Sequence, residues 1–186
     1  MAMLGGVLCS GDAIGSDYLF WEGYEAGKRA NMPPAQIYYT KKKNMRNLSY
    51  DAVKGHHEAE QYETYDEAQS IAFRARGSFE GLFPSGIALH TRNAFQVLSE
   101  ELCFPRWITI FWARPVGKKG KVDGGTNTAV QISIMNNVPC VNLYVEEQRT
   151  KFIGWVTAQL IKKGLSVPKL ELIKEAGNEP ELQQAA

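Results

Sequence analysis

No run in this chain approaches the roughly 18–20 consecutive apolar residues of a membrane helix, which excludes a helical membrane span from the sequence reading. Cysteine is scarce: Cys9, Cys103 and Cys140 are the three in the chain. An odd number without metal-ligand spacing argues against a disulfide framework or a zinc module, and reduced, buried thiols are expected. Charge of one sign is missing too. Twenty-one Lys and Arg stand against 20 Asp and Glu, a formal net charge of +1. Nothing in that balance draws a polyanion to the whole surface, so any basic site must be local. Histidine is rare, and His56–His57 lacks a third ligand at suitable spacing, so a surface pair is expected rather than a metal site. The first residues show no basic, apolar, small-residue order of a signal peptide, and a cytoplasmic protein (host cytoplasm if viral) is expected. No internal repeat is visible.

What is present is ordinary in bulk and specific in detail. The 186 residues, 44% hydrophobic and 22% charged, suit one globular domain, read here as 1–175 with a polar tail at 176–186. "MLGGVLC" reads as a buried first strand, and "SDYLFWEGYEAGKRA" as a helix capped by Ser16 or Asp17. "QIYYT" is a strand, and 41–63 is polar and hard to assign, with Lys41–Lys43 and Arg46 as a solvated basic loop. Two helices follow, "YDEAQSIAFRARGSF" with Ala68, Ile71, Ala72 and Ala75 as its stripe, and "IALHTRNAFQVLSEEL" burying Ala88, Phe95 and Leu98. "WITIFWA" is a strand, Thr126 to about Asn136 a helix, "PCVNLYV" a strand, and 146–164 the last long helix. Strands alternating with helices predict an α/β, doubly wound, mostly parallel sheet covered on both faces.

Two glycine loops fall at strand carboxyl ends, where such sheets bind ligands: "CSGDAIGSD" (9–17) and "VDGGTNTAV" (122–130). A glycine turn opening a helix lets backbone N–H groups approach an oxyanion, and the helix dipole favours negative charge there. Gly11 and Gly15 with Ser10 and Ser16 serve this role in the first loop. Gly124 and Gly125 with Thr126 and Thr128 serve it in the second. Asp12 and Asp17 would repel a phosphate, so capping the helix or bonding a ribose hydroxyl suits them better. Neither loop is a Walker loop or a G-x-G-x-x-G fingerprint, which disfavours ordinary triphosphatases and dehydrogenases.

The ordered blocks "VLCSGDAIGSD", "LHTRNAFQVLSEEL" and "GGTNTAVQISIMNNVPCVNLY" resemble those of stand-alone SLOG-superfamily proteins. These are Rossmann-like domains related to DNA-processing protein A and to the LONELY GUY phosphoribohydrolases. The resemblance is to the group often found in phages, and it spans roughly residues 3 to 145. It implies a nucleotide or nucleotide-derived ligand held between the loops, no obligatory cofactor beyond it, and a homodimer or higher homo-oligomer. Cys9 stands where those relatives usually carry arginine. The hydrolase glutamate falls on Gln131, which cannot act as an acid or base near neutral pH. The arginine of the hydrolases' helix motif falls on Arg92, with Asn93 in place of lysine.

Arg92 and Asn93 therefore join the loop residues as candidate ligand contacts. His90 is a second-line candidate, read first as a hydrogen-bonded structural residue. Trp112 could stack on a base or pack in the core, and Asn142, within "PCVNLYV", is a further second-line candidate. Cys9 has no visible histidine partner and reads as a buried residue. "GKKGK" (117–121), with Lys119, is either a basic lid or a solvated hairpin tip. The expected function is capture, without turnover, of a nucleotide-derived molecule such as an ADP-ribose-type or cyclic nucleotide immune signal. Sequestration of a signal suits a copy with no effector attached. A single-stranded DNA mediator and a nucleotide N-glycosidase are the alternatives, disfavoured by the charge balance and by Gln131 respectively.

Overall fold

The apolar start of the chain does not run straight into a strand. In the computed structural model, which describes residues 1–117 and 120–168, Ala2–Leu4 form one 3-10 turn, closed by Gly5 at φ 92°. The first strand, β1, is confined to Cys9–Gly11; the Gly5–Gly6 pair shortens the strand expected from residue 3. Helix α1 covers Ser16–Gly27 and β2 covers Gln36–Tyr39. The polar segment after β2 yields a third strand, β3 at His56–Glu58. Helices α2, Tyr65–Arg76, and α3, Pro84–Leu98, come next. Then follow β4 at Thr109–Phe111, α4 at Thr126–Met135, β5 at Cys140–Asn142 and α5 at Glu146–Lys162.

The helix boundaries follow local chemistry. Asp66 and Glu67 open α2 and Arg74 and Arg76 close it, each favourable to the dipole, and Gly77 at φ 91° ends it in a left-handed cap. Pro84 starts α3, where its missing N–H costs nothing. None of the helices among the described residues is long and apolar enough to cross a membrane.

Among the described residues each strand pairs in parallel with its neighbour, but the five strands form two small sheets instead of one. The first has the order β1-β2-β3 and the second pairs β4 with β5. Cys9 stands opposite Gln36, Ile37 opposite His56, and Thr109 opposite Cys140. Among the described residues no ladder joins β1 to β4. The fold is a mixed α/β arrangement, and the single sheet expected from the sequence is divided at this seam.

Successive residues of β2 point to opposite faces. Ile37 enters a cluster with Ala2, Ala35 and Tyr24 of α1. Tyr38 enters the main core with Ile71 of α2, Phe95 and Leu98 of α3, and Ile132 of α4. The first sheet is thus covered on both faces. Phe95 is fully buried, and truncating such a ring costs about 3–5 kcal/mol. A third cluster, Phe111, Ala113, Val122 and Val130, holds α4 against the second sheet.

The cysteines are free, with Cys9 and Cys140 half-buried and Cys103 exposed. Cys103 departs from the buried thiol expected because α3 ends at Leu98 and the following residues run along the surface. His57 also departs from expectation. It is buried, stacked on Tyr38 at 5.0 Å, and bonded to Tyr62 at 2.6 Å and Gln36 at 2.7 Å.

Candidate ligand-binding site

Each glycine loop launches a helix that no side chain caps. Gly15 is the N-cap of α1, at φ 102° and ψ −125°, a conformation that in practice only glycine adopts. Gly125 is the N-cap of α4. Ser16 and Asp17 were the expected caps for α1; the structure uses neither, and Asp17 Oδ2 instead accepts from the Ala13 N–H at 3.4 Å. First-turn amides left without a side-chain acceptor are suited to an anion.

Helix α3 runs between the loops and ties to both. His90 Nδ1 lies 2.8 Å from Thr128 Oγ1, and Asn93 Nδ2 donates to the Gly125 carbonyl at 3.3 Å. On the other side, Arg92 Nη2 stands 3.8 Å from Asp17 Oδ2, an ion pair beyond hydrogen-bond range. Gly11 has no side chain because there is no room for one. A Cβ there would sit 2.6 Å from Arg92 Nη2, Asp17 Oδ2 and Gln96 Nε2.

The loops and α3 bound one cavity of about 730 Å³, within the size range of small-molecule sites. Ser10, Ser16 and Asp17 line it from the first loop, Gly125 and Thr126 from the second, and His90, Arg92 and Asn93 from α3. Its side walls are β1 and β4, the two strands that do not pair. Ladder geometry explains what these strands offer. Leu8 gives its carbonyl to Gln36, and Phe111 gives its own to Leu143, so alternation turns the polar backbone of Cys9 and Ile110 away from their ladders.

Arg92 is the most telling residue of the site. It is 6% exposed, yet its Nε and Nη1 have no hydrogen-bond partner among the described residues. Burial pushes its guanidinium down from the ordinary range, while Asp17, Asp12 and Glu60 act the other way. A guanidinium nevertheless stays protonated at neutral pH. Unsatisfied buried donors on a cation are costly unless an acceptor arrives. Cys9 also lines the cavity, its thiol pushed up chiefly by burial and therefore protonated at neutral pH. Burial likewise lowers His90, helped by Arg76 and Arg92.

The remaining candidates are placed elsewhere. Asp12 is buried and fully engaged, accepting from Met45 N at 2.5 Å, Arg46 N at 3.2 Å and Arg46 Nε at 2.6 Å. It neither caps α1 nor offers a free oxygen to a ribose, and Arg46, packed over Trp21 at 5.2 Å, is no solvated loop residue. Gly15 and Gly124 shape their loops without lining the cavity, and Thr128 is buried against His90. Asn142 Oδ1 accepts from Ala113 N and its Nδ2 donates to Ala113 O, locking β5 to the exit of β4. Trp112 is half exposed. It packs edge-on to Tyr144, with Arg149 over its ring, so it belongs neither to the core nor to the cavity wall. Lys119 lies outside the described residues; the flanks of its segment form a hairpin, with Val116 N donating to Lys121 O.

Gln96, Arg106 and Thr109 line the cavity but escaped the sequence reading as site residues. Gln96 sits one helical turn beyond Arg92, and Arg106 precedes the strand "WITIF". The spacing of Arg92 and Gln96 was a usable signal, whereas Arg106 reaches the wall only through tertiary packing. Comparison of the chain with protein-family models, with curated proteins and with solved structures finds no match in any of the three.

Proposed function

We propose that this chain captures a nucleotide-derived small molecule in the cavity between its two glycine loops and holds it without turnover. The observation that carries this reading is Arg92, a buried cation lining that cavity with two nitrogens that have no acceptor among the described residues. A phosphate between the uncapped starts of α1 and α4 would meet both helix N-termini and the guanidinium together. The resemblance to SLOG proteins adds the ligand class, an ADP-ribose-type or cyclic nucleotide signal, and sequestration as the use of the site. The strand orders β1-β2-β3 and β4-β5 support a Rossmann-like arrangement, since joining them at the β1–β4 seam would give 3-2-1-4-5.

Two features support capture over hydrolysis. Gln131 is not part of the cavity wall; its Nε2 lies 3.4 Å from Asn127 Oδ1. Among the described residues Asp17 is the one carboxylate lining the cavity, and it faces Arg92, so the described residues do not assemble the paired carboxylates of glycoside hydrolysis there. The test is incubation with nucleoside monophosphates and ADP-ribose derivatives, followed by chromatographic recovery of the small molecule. Stoichiometric return of intact ligand is expected. Repeated turnover to free base or ribose phosphate would replace this reading with an enzymatic one.

A further inference from the structure

The cavity between the glycine loops is polar but holds little net charge. Among the described residues three charged side chains line it, Asp17, Arg92 and Arg106. Arg106 is answered within the fold. Its Nη2 donates to the Tyr38 hydroxyl at 3.1 Å, and that hydroxyl donates in turn to the Glu100 carboxylate. Arg92 faces Asp17, with Nη2 3.8 Å from Oδ2, and the same carboxylate oxygen takes the Ala13 N–H at 3.4 Å. Asp12, the other carboxylate of the loop, is paired with Arg46. Gln96 Nε2 packs beside Arg92 and Asp17 over Gly11, and a neutral amide adds no charge whichever way it turns.

Arg92 and Asp17 therefore cancel at the first loop. The open starts of α1 and α4 contribute roughly half a positive charge each. One negative charge on a ligand balances the site, and a second has no cation of its own. That second charge would also lie close to Asp17, in the first turn of α1, where like charges repel more strongly than in bulk water. Arg92 still has bonds to give, since it is 6% exposed and its Nε and Nη1 have no acceptor among the described residues. The site thus asks for acceptor oxygens without a second charge. A phosphate esterified on two sides has that character, because its two free oxygens share one charge. A terminal monoester carries about 1.5–2 negative charges at pH 7.

We propose that Asp17 makes this site select phosphodiesters over terminal phosphate monoesters. The ligand class narrows to nucleotides whose phosphate is esterified on both sides, as in a cyclic nucleotide. This inference rests on the nucleotide-capture reading, and the experiment separates the two.

Adenosine 5′-monophosphate and its methyl ester share base and ribose and differ in the charge of the phosphate. Affinities of both, and of ADP-ribose, are measured calorimetrically for the native chain and for Asp17→Asn, at a pH well above the monoester's second pKa of about 6. Expected is a preference of the native chain for the methyl ester of at least about tenfold. Asparagine keeps the size of the side chain and an oxygen for the Ala13 N–H. Asp17→Asn should therefore move the ratio toward one by raising the affinity for the monoester. The native ratio decides alone if that variant does not fold. Equal native affinities, a preference for the monoester, an unchanged ratio in the folded variant, or binding of ADP-ribose without the methyl ester overturns the selectivity alone. Failure of all three probes to bind overturns the nucleotide-capture reading beneath it.

Discussion

Gly11 and Arg92 are packed so closely that a single methyl on the glycine would lie 2.6 Å from the Arg92 Nη2 atom. The absence of a side chain at the end of β1 is what lets a guanidinium from α3 stand beside the first loop. Gly11→Ala must push Arg92, Asp17 and Gln96 aside together. All three meet the new methyl with the ends of flexible side chains, so the cost in stability is about 1–3 kcal/mol. Ligand affinity is expected to fall at least about tenfold, because Arg92 loses a charge-assisted bond worth roughly 1.5–3 kcal/mol. Paired denaturation and calorimetric titrations of the variant check both halves; an unchanged affinity would detach Arg92 from the site.

Gly125→Asp tests the second loop. Gly125 has φ −64°, and a Cβ there meets nothing within 4 Å, so the variant should fold. It places a carboxylate at the uncapped start of α4, where the proposed phosphate binds. A ligand at a hundredfold excess over its dissociation constant stabilises by about 2.7 kcal/mol, roughly 5–11 °C in midpoint for a chain of this size. Gly125→Asp and Arg92→Ala should each lose most of that shift while keeping native circular dichroism, and Lys42→Ala should keep it. Two folded variants with the full shift would place the site elsewhere.

Asp12→Ala should act on stability instead. Its carboxylate holds the backbone N–H groups of Met45 and Arg46 and the Arg46 guanidinium. Removing it strands those donors, although Arg46 is 23% exposed and recovers some water. A loss of about 2–4 kcal/mol is expected in urea denaturation. A loss below about 0.5 kcal/mol would mean that the 44–48 turn does not depend on this carboxylate.

Acid should destabilise the fold through the buried His57 and the half-buried His90. Burial is the largest cause lowering the folded-state pKa of both His57 and His90. The unfolded chain, with histidine near 6.5, then binds more protons than the folded one as pH falls. The stabilisation from keeping these rings neutral is complete above about pH 6.5 and is lost as pH drops through the lowered folded values. Thermal midpoints should therefore fall between pH 7.5 and pH 5, and His57→Gln should flatten that dependence. An equally steep profile in the variant would assign the effect to the carboxylates.

Single-stranded DNA should bind weakly at physiological salt. The formal net charge is only +1, so the phosphate-driven term that dominates such binding has little to act on. A gel-shift titration is sufficient, and tight binding poorly competed by nucleotides would promote the DNA-mediator reading.

Local patterning accounts for most of the secondary structure. The apolar stripe of α2, the proline opening α3, the β-branched run of β4 and both glycine loops are short-range features, and each element stands where its residues ask for it. Arg92 and Asn93 were marked instead by the resemblance of "LHTRN" to the hydrolases' helix motif, and both line the cavity. What residues far apart do to one another was decided only in the folded chain. Asp12 looked like a cap or a ribose contact until Met45 and Arg46, more than thirty residues away, took its oxygens. His57 looked exposed until Gln36 and Tyr62 enclosed it. Arg106 reached the cavity because Val97 accepts its backbone N–H and Tyr38 holds its side chain. The seam between β1 and β4 is of the same kind. Which edges of short strands pair is set by the helices packed against them, and that information is spread over the whole chain.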